Sequence, residues 1–389
     1  MRRLVRALAI LAALLFAFLI FLWFRAGRDL AYMLRVLGHR DSSTSDYRWK
    51  DAMGVAPAPA PRPWPSRDGC GPVAAALARD PDAGAMDDYL TRGGALALVV
   101  IRDGALTCEW YGNGGARDRP AAAFSISKTV VSLLLARAVA TGALALDEPI
   151  TTRVPELAAR DPRFAAIRLA DLVDMRSGIG FEEDAGFPWV DQDAPAVYYA
   201  SDLVATVLAR AAIEAAPGPF VYNDYAPNLI GLALARATRA PLPAATQALW
   251  DELGAENPAA WSVDDRGFAW HESGFVVTAR DLARVGQLVL DGGRVGDRQV
   301  APPAFVARSL DPAGRTRATT FAGTDVGYRN GWWTVDGDLV AMGRWGQIML
   351  VSPATRTVIV RLGEDGHAET NIAIARRLQR VARRLAGRD

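Results

Sequence analysis

The hydrophobic pattern opens with an uninterrupted apolar run over residues 7–24. At a rise of about 1.5 Å per residue a helix over this run spans roughly 27 Å, close to the hydrocarbon core of a bilayer. Arg2, Arg3 and Arg6 precede the run, as in the basic region of an export signal. Because no pair of small residues suited to cleavage follows it, residues 1–25 are predicted to be an uncleaved signal anchor that spans the membrane once.

The basic N-terminus favours the cytoplasmic side, although the arginines that follow the run weaken this bias. The anchor is therefore expected in the inner (cytoplasmic) membrane, with the rest of the chain facing the periplasm. Within residues 55–65 a proline occupies every second position from residue 57 onward. This segment should be extended and semi-rigid, in the polyproline conformation. Residues 26–85 are accordingly predicted to be a Pro-rich tether with some packing onto the domain that follows.

Residues 86–389 mix strand and helix periodicity and are predicted to form one domain. Alternating or short apolar runs bounded by turn residues predict strands at residues 96–101, 106–111, 332–335, 347–351 and 357–362. Patterns of helical period predict helices starting near Lys128 and at residues 202–215, 226–238, 279–290 and 370–385. The expected class is α+β, an antiparallel five-stranded sheet flanked by helices with a mostly helical subdomain.

Composition excludes several classes of function. The chain has 389 residues and a net charge of +1, and no basic stripe with interleaved aromatic residues suggests a nucleic-acid partner. The cysteines, Cys70 and Cys108, show no metal-ligand spacing. They either pair with each other, if the domain lies outside the cytosol, or are buried thiols. No metal or cofactor is predicted.

Ser125 and Lys128 stand three positions apart at the start of a strongly apolar helix. This spacing places them on one helical face at the positive end of the helix dipole, where a lysine can activate a serine nucleophile. The alternative is an ordinary N-cap serine followed by a lysine. The chain has no G-x-S-x-G elbow, and only His271 and His367 lie far enough from the apolar run to serve a Ser-His-Asp triad.

A series of segments then resembles the superfamily of serine β-lactamases, penicillin-binding proteins and related esterases. The resemblance covers roughly residues 86–365, and its motifs are at residues 124–128, 172–180, 217–231, 273–286 and 343–353. The best match is to the branch with class C β-lactamases, certain esterases and 6-aminohexanoate-dimer hydrolases. Each motif is modest alone, but their common order makes the resemblance specific, and it implies a β-lactamase/D,D-peptidase-like fold.

The resemblance implies a role for each residue that matches a motif. Ser125 would attack a carbonyl and form an acyl-enzyme, with Lys128 and Tyr222 as general base and acid. The backbone N–H groups of Ser125 and Gln347 would form the oxyanion hole. The residues expected to bind substrate are Asp224, Arg344, Trp345 and Gly346.

Departures from the family pattern bear on the substrate. Asp224 replaces the Asn of Tyr-x-Asn and favours a protonated Lys128, so that it either opposes the lysine's use as a base or orients it while Tyr222 takes the proton. Arg344-Trp345-Gly346 stands in place of Lys-Thr-Gly, keeping the charge but not the hydroxyl. No separate Glu has a clear claim to activate the deacylating water.

These departures predict a serine hydrolase acting on a small-molecule or peptide-like ester or amide rather than an efficient β-lactamase. The alternatives are a non-catalytic penicillin-recognising domain and a cell-wall D,D-peptidase. Residues 187–199, rich in aromatic residues and carboxylates, are either a flap over the pocket or a packed surface connection.

Overall fold

The computed structural model describes residues 2–27, 29–67, 69–183, 190–321, 324–366 and 369–388. The helices are α1 (Arg2–Arg25), α2 (Leu30–His39), α3 (Gly71–Ala78), α4 (Met86–Arg92), α5 (Ile126–Ala140), α6 (Pro155–Arg160), α7 (Leu169–Val173), α8 (Asp193–Tyr198), α9 (Leu203–Arg210), α10 (Tyr225–Thr238), α11 (Leu242–Leu253), α12 (Ala279–Leu290), α13 (Pro303–Leu310) and α14 (Asn371–Leu385). The strands are β1 (Asp51–Val55), β2 (Ala95–Arg102), β3 (Ala105–Tyr111), β4 (Ala121–Ala122), β5 (Ala259–Val263), β6 (Phe275–Val277), β7 (Arg294–Val295), β8 (Arg298–Gln299), β9 (Thr316–Phe321), β10 (Thr324–Arg329), β11 (Trp332–Val335), β12 (Asp338–Gly343), β13 (Gln347–Ser352) and β14 (Thr357–Gly363).

The main sheet is antiparallel and, over the described residues, has eight strands in the order β3-β2-β14-β13-β12-β11-β10-β9. All five predicted strands lie in it, which confirms the α+β class, but the predicted strand number is too low. The added strands are β9, β10 and β12. The sequences of β9 and β10 are rich in polar residues, and β12 is too short an apolar run for periodicity alone to separate strand from helix.

Helices cover both faces of this sheet. On one face α5 and α12 pack beneath β2, β13 and β14 and share a core with the helical subdomain built around α10. On the other face α3, α4 and α14 bury a second apolar cluster. The central strands β13 and β14 are buried along their whole length, because both of their faces are covered.

One predicted helix is shorter than expected. The pattern over residues 202–215 extends an apolar helix to position 215, but α9 ends at Arg210. Beyond it Ile213 forms an isolated antiparallel bridge with Ile179. Non-local pairing has therefore overridden the local helical pattern, which depends only on residues near in sequence.

The segment predicted as a Pro-rich tether packs on the domain at several points. Strand β1 pairs with β5 in a second, four-stranded sheet. The amides of Ala58 and Arg62 donate hydrogen bonds of 3.0 Å to the carbonyls of Ala255 and Gly254. Cys70 and Cys108 form a disulfide, so the pairing alternative holds. The boundaries at residues 26, 86 and 389 stay predictions.

Helix α1 is, within the described residues, the one helix long and apolar enough to cross a membrane. It contains 24 residues and is about 36 Å long at 1.5 Å per residue. Most of its large apolar side chains are exposed. Leu22 near its end is buried, since this last turn packs against the domain.

Candidate active site

A left-handed residue introduces the nucleophile candidate. Phe124 has a φ of 47°, a conformation that costs a non-glycine residue of order 1–3 kcal/mol and concentrates at functional sites. The chain turns there from β4 into α5, so that Ser125 stands at the N-terminus of a helix whose side chains are buried on nearly every side. The rigid helix and the sharp turn together fix the position of the Ser125 hydroxyl.

Lys128 converges on Ser125 from one turn into α5. Its Nζ donates to Ser125 Oγ at 2.8 Å, lies 2.8 Å from Asp224 Oδ1, and donates to the Glu272 carbonyl at 3.2 Å. An ammonium has three N–H donors and no acceptor. These contacts therefore give each donor of a protonated Lys128 an acceptor.

The electrostatics agree with a charged lysine. Burial alone would lower the pKa of Lys128, because a charged amine is costly to remove from water. The nearby charges outweigh that penalty, and Asp224 contributes most. The net result is a pKa of Lys128 raised above its usual value. Asp224 thus has the effect that its replacement of Asn predicted, and Lys128 carries a proton at neutral pH.

Tyr222 lies three positions before the start of α10, and its side chain is half-buried. Its ring stacks on Trp333 with centroids 5.3 Å apart and meets Tyr328 edge-on at 5.9 Å. Burial raises the pKa of Tyr222, while Lys128 and hydrogen bonding to Ser125 partly oppose the rise. The phenol is therefore protonated at neutral pH and in contact with Ser125.

A second buried carboxyl stands behind the site and was missed in the sequence. Glu272 accepts hydrogen bonds from Asn228 Nδ2 at 2.8 Å and from Ser273 Oγ at 2.8 Å. Burial raises the pKa of Glu272, and Asp224 raises it further. Glu272 is visible in the sequence between His271 and Ser273, but no pattern in the neighbouring residues predicts that it is buried near Asp224.

We expect Glu272→Gln to flatten the pH dependence of stability between about pH 4.3, where an unfolded Glu ionises, and neutrality. Because the folded carboxyl keeps its proton longer than the unfolded one, wild-type stability falls as pH rises through this window. Thermal melts at pH 5 and pH 7.5 should show a smaller loss for the variant. Glu156→Gln is the contrast: Arg236 lowers the pKa of Glu156, so this exposed acid should show a small effect of opposite sign.

A cavity of about 610 Å³ opens above Ser125. Four predicted site residues line it: Ser125, Tyr222, Asp224 and Arg344. Its further lining residues, none of which was predicted as a site residue, are Arg40, Asp41, Ser42, Phe124, Glu183, Ala194, Pro195, Tyr198, Tyr199, Ser273, Trp333, Met342, Gly343, Thr370, Asn371 and Ile372. The mixture of aromatic walls and polar groups suits a compact substrate with a polar end.

The remaining predicted residues lie just behind this wall. Trp345 donates its indole N–H to the Ser42 carbonyl at 3.0 Å, and the Gly346 amide donates to Asn371 Oδ1 at 3.1 Å. The Gln347 side chain is buried and bonds Gly363 through both of its polar atoms. Met342 and Gly343 at the end of β12 and Arg344 in the turn after it line the cavity. The oxyanion role of Gln347 stays a prediction.

The histidines give no triad among the described residues. His271 is buried against Phe268 and Trp261, and burial lowers its pKa to about 4. It does not line the cavity with Ser125. His367 lies outside the described residues, as do residues 187–189 of the flap candidate. The part of the flap candidate from residue 190 onward includes α8 and contributes to the cavity wall.

Comparison with known proteins agrees with this fold. The model of the Beta-lactamase family matches residues 83–383. The 6-aminohexanoate-dimer hydrolase of Paenarthrobacter ureafaciens is 27% identical over 288 residues, covering 68% of this chain and 71% of that protein. A structure from Bacillus anthracis with the provisional name 6-aminohexanoate-dimer hydrolase superposes with a TM-score of 0.78 at 22% identity, covering 89% of this chain and 94% of that chain.

A penicillin-binding protein homologue from Caulobacter crescentus superposes with a TM-score of 0.63 at 17% identity, over 84% of this chain and 99% of that chain. Such likeness at low identity shows the fold, which is that of the β-lactamases and penicillin-binding proteins. The class is therefore a serine hydrolase of the esterase and amidase kind. Since the family model matches most of its length, the chain belongs to the Beta-lactamase family.

Proposed function

We propose that this protein cleaves an ester or amide bond through an acyl-enzyme on Ser125, with Lys128 stabilising the charge on its oxygen and Tyr222 transferring the proton. The observation that carries the proposal is the 2.8 Å contact between Lys128 Nζ and Ser125 Oγ. It lies at the floor of a cavity that Tyr222 also lines. Geometry of this kind defines an activated serine.

The protonation states assign different tasks to the two partners. A protonated Lys128 stabilises the negative charge that grows on the Ser125 oxygen, and does not itself accept the proton. Tyr222 accepts the serine proton on its oxygen while its own phenolic proton passes to the leaving group. This relay needs no free tyrosinate, which agrees with the raised pKa of Tyr222, and it makes Asp224 the residue that keeps Lys128 charged.

The chemistry then balances in two steps. In acylation the bond from the carbonyl carbon to the leaving oxygen or nitrogen breaks, a bond to Ser125 Oγ forms, and the alcohol or amine departs with a proton. In deacylation a water molecule occupies the leaving group's position and gives its proton through Tyr222 back to Ser125, by microscopic reversibility. The acyl group leaves as a carboxylic acid, and no further acid is required.

The location follows from features outside the site. We infer that α1 anchors the protein in the inner membrane with its catalytic domain in the periplasm. The basic residues before α1 support this orientation. The disulfide between Cys70 and Cys108 also supports it, because such bonds persist in oxidising compartments.

A substrate panel tests the proposed reaction. Purified full-length protein is assayed against short-chain p-nitrophenyl esters, linear amide oligomers, nitrocefin and D-Ala-D-Ala peptides, and a fluorophosphonate adduct is mapped by mass spectrometry. We expect ester or amide turnover and an adduct on Ser125. Release of D-Ala without ester turnover would support a D,D-peptidase instead. No adduct and no turnover by a folded protein would support the non-catalytic alternative.

Asp224→Asn distinguishes a charged lysine from a basic one. Loss of the carboxylate removes the main influence that raises the pKa of Lys128, so burial should leave more of the amine neutral at high pH. If the charged form is active, the alkaline limb of kcat/KM moves to lower pH by roughly 1 to 3 pH units, the usual effect of one opposite charge at contact distance.

Asp291→Asn serves as the control, since Asp291 pairs with Arg356 at the surface and should leave the pH profile unchanged. If Lys128 instead acts as the neutral base, Asp224→Asn will extend activity to lower pH and raise the rate near neutrality. That outcome would contradict the assigned roles.

A further inference from the structure

Helix α2 presents apolar residues on both of its faces. Tyr32, Met33 and Val36 are buried against the domain. The opposite side, named here the α2 outer stripe, consists of Leu30, Ala31, Leu34 and Gly38. Leu30 and Leu34 are 55% and 58% exposed. A surface helix normally presents a polar face to water, so an uncharged outer stripe indicates a less polar surrounding.

The outer stripe continues directly from the apolar span. Leu22 and Ala26 at the end of α1 pack in one cluster with Val190 and Tyr199 of the domain. Tyr32 Oη donates to the Val190 carbonyl at 2.6 Å. Arg25 forms an ion pair with Asp191. The end of the span is therefore attached to the domain rather than joined to it by a loose linker.

The same segments build one wall of the catalytic cavity. Tyr199, which packs against the end of α1, lines the cavity, and so do residues 40–42 directly after α2. Asp41 at this wall pairs with Arg344 at 2.7 Å. Helix α2 has 10 residues and is about 15 Å long, so the cavity lies one short helix from the end of the span. Residues 40–42 precede the region that the family model matches.

We propose that α2 lies in the interfacial layer of the bilayer and that the catalytic cavity opens at this layer. The substrate is then the ester or amide of an amphiphile that resides in the membrane. An apolar helical face next to a span is suited to insert among lipid headgroups, and Trp23 stands at the end of α1 where interfacial aromatic residues concentrate. This inference rests on the proposed function and specifies its substrate class.

The test compares hydrolysis of the same type of ester when it is supplied from water and when it is supplied from a bilayer. Full-length protein is reconstituted in phosphatidylcholine vesicles and assayed with p-nitrophenyl acetate from the water phase and p-nitrophenyl palmitate carried in the bilayer. The test variant is Leu30→Glu/Leu34→Glu, which charges the outer stripe. The control is Leu310→Glu, a charge placed on an exposed leucine of α13.

We expect wild type and the control to hydrolyse both esters. The double variant should keep its acetate turnover and lose about tenfold or more of its palmitate turnover, because two charges oppose seating of the helix in the interface. Retained acetate turnover shows that the variant is folded.

Several results would overturn the inference and leave the proposed function standing. These are equal palmitate turnover by wild type and double variant, acetate turnover by a wild type that ignores palmitate, and loss of both activities in the double variant, which would show that the stripe serves the fold. Wild type inactive on both esters, and on the amides of the panel, would instead refute the proposed function and this inference with it.

Discussion

Ser125→Ala is expected to lower kcat/KM for the best ester or amide substrate by at least about a thousandfold, since removal of a nucleophile removes the covalent route. A thousandfold loss corresponds to about 4 kcal/mol of transition-state stabilisation. Steady-state kinetics with wild type and variant side by side measure the effect. The fluorophosphonate adduct should disappear in the same variant.

Ser127→Ala is the matched control, because Ser127 lies two positions away on the same helix. Its hydroxyl is buried and accepts a hydrogen bond of 3.0 Å from the Phe275 amide. Its removal leaves that donor without a partner and should cost about 1–3 kcal/mol of stability, yet the adduct should persist. An adduct that survives in Ser125→Ala but not in Ser127→Ala would show that Ser127 is the nucleophile, and would contradict the proposed role of Ser125.

Tyr222→Phe carries the second large effect. It removes the hydroxyl that the relay uses but keeps the ring that stacks on Trp333. The expected loss in kcat is about 100- to 10,000-fold, the usual contribution of a positioned acid–base group. The loss should be greater for an amide than for a p-nitrophenyl ester, because an amine needs a proton to leave and a nitrophenolate does not.

Tyr328→Phe provides the comparison within the same aromatic group. Tyr328 is buried and its ring contacts Tyr222 at 5.9 Å, but it is not a lining residue of the cavity. This variant should keep most of the activity on both substrates. Equal losses in the two tyrosine variants would indicate a packing defect and would remove the proton-relay role from Tyr222.

The site shows how one substitution changes the division of work in a serine hydrolase. Asp224 raises the pKa of Lys128 beside Ser125, so the proposed mechanism assigns charge stabilisation and proton transfer to different residues. Glu272 lies on the far side of the same group with a raised pKa of its own. Asp224 contacts Lys128 through its carboxylate at 2.8 Å, whereas Glu272 contacts it through its backbone carbonyl.

Much of the chemistry could be predicted from sequence because its signals are local. Ser125 and Lys128 meet across a single helical turn, which their spacing alone requires. Thr278 and Thr370 cap α12 and α14 at the ends that helical periodicity predicted. The effect of Asp224 on the pKa of Lys128 followed from charge and motif position. Each of these depends on neighbours within a few residues or on an ordered set of motifs.

The lining of the cavity, in contrast, depends on contacts between segments that are far apart in the chain. Arg40, Asp41 and Ser42 line it although they are more than eighty positions from Ser125, and no local pattern connects the residues after α2 to the cavity at Ser125. Glu272 became a perturbed acid only through burial beside Asp224. The sequence by itself determined the long apolar N-terminal helix, the α+β class and the serine–lysine pair, through periodicity and spacing. Only the tertiary structure decided which distant side chains face Ser125 and which acids are buried together, because packing and desolvation depend on contacts between segments far apart in the chain.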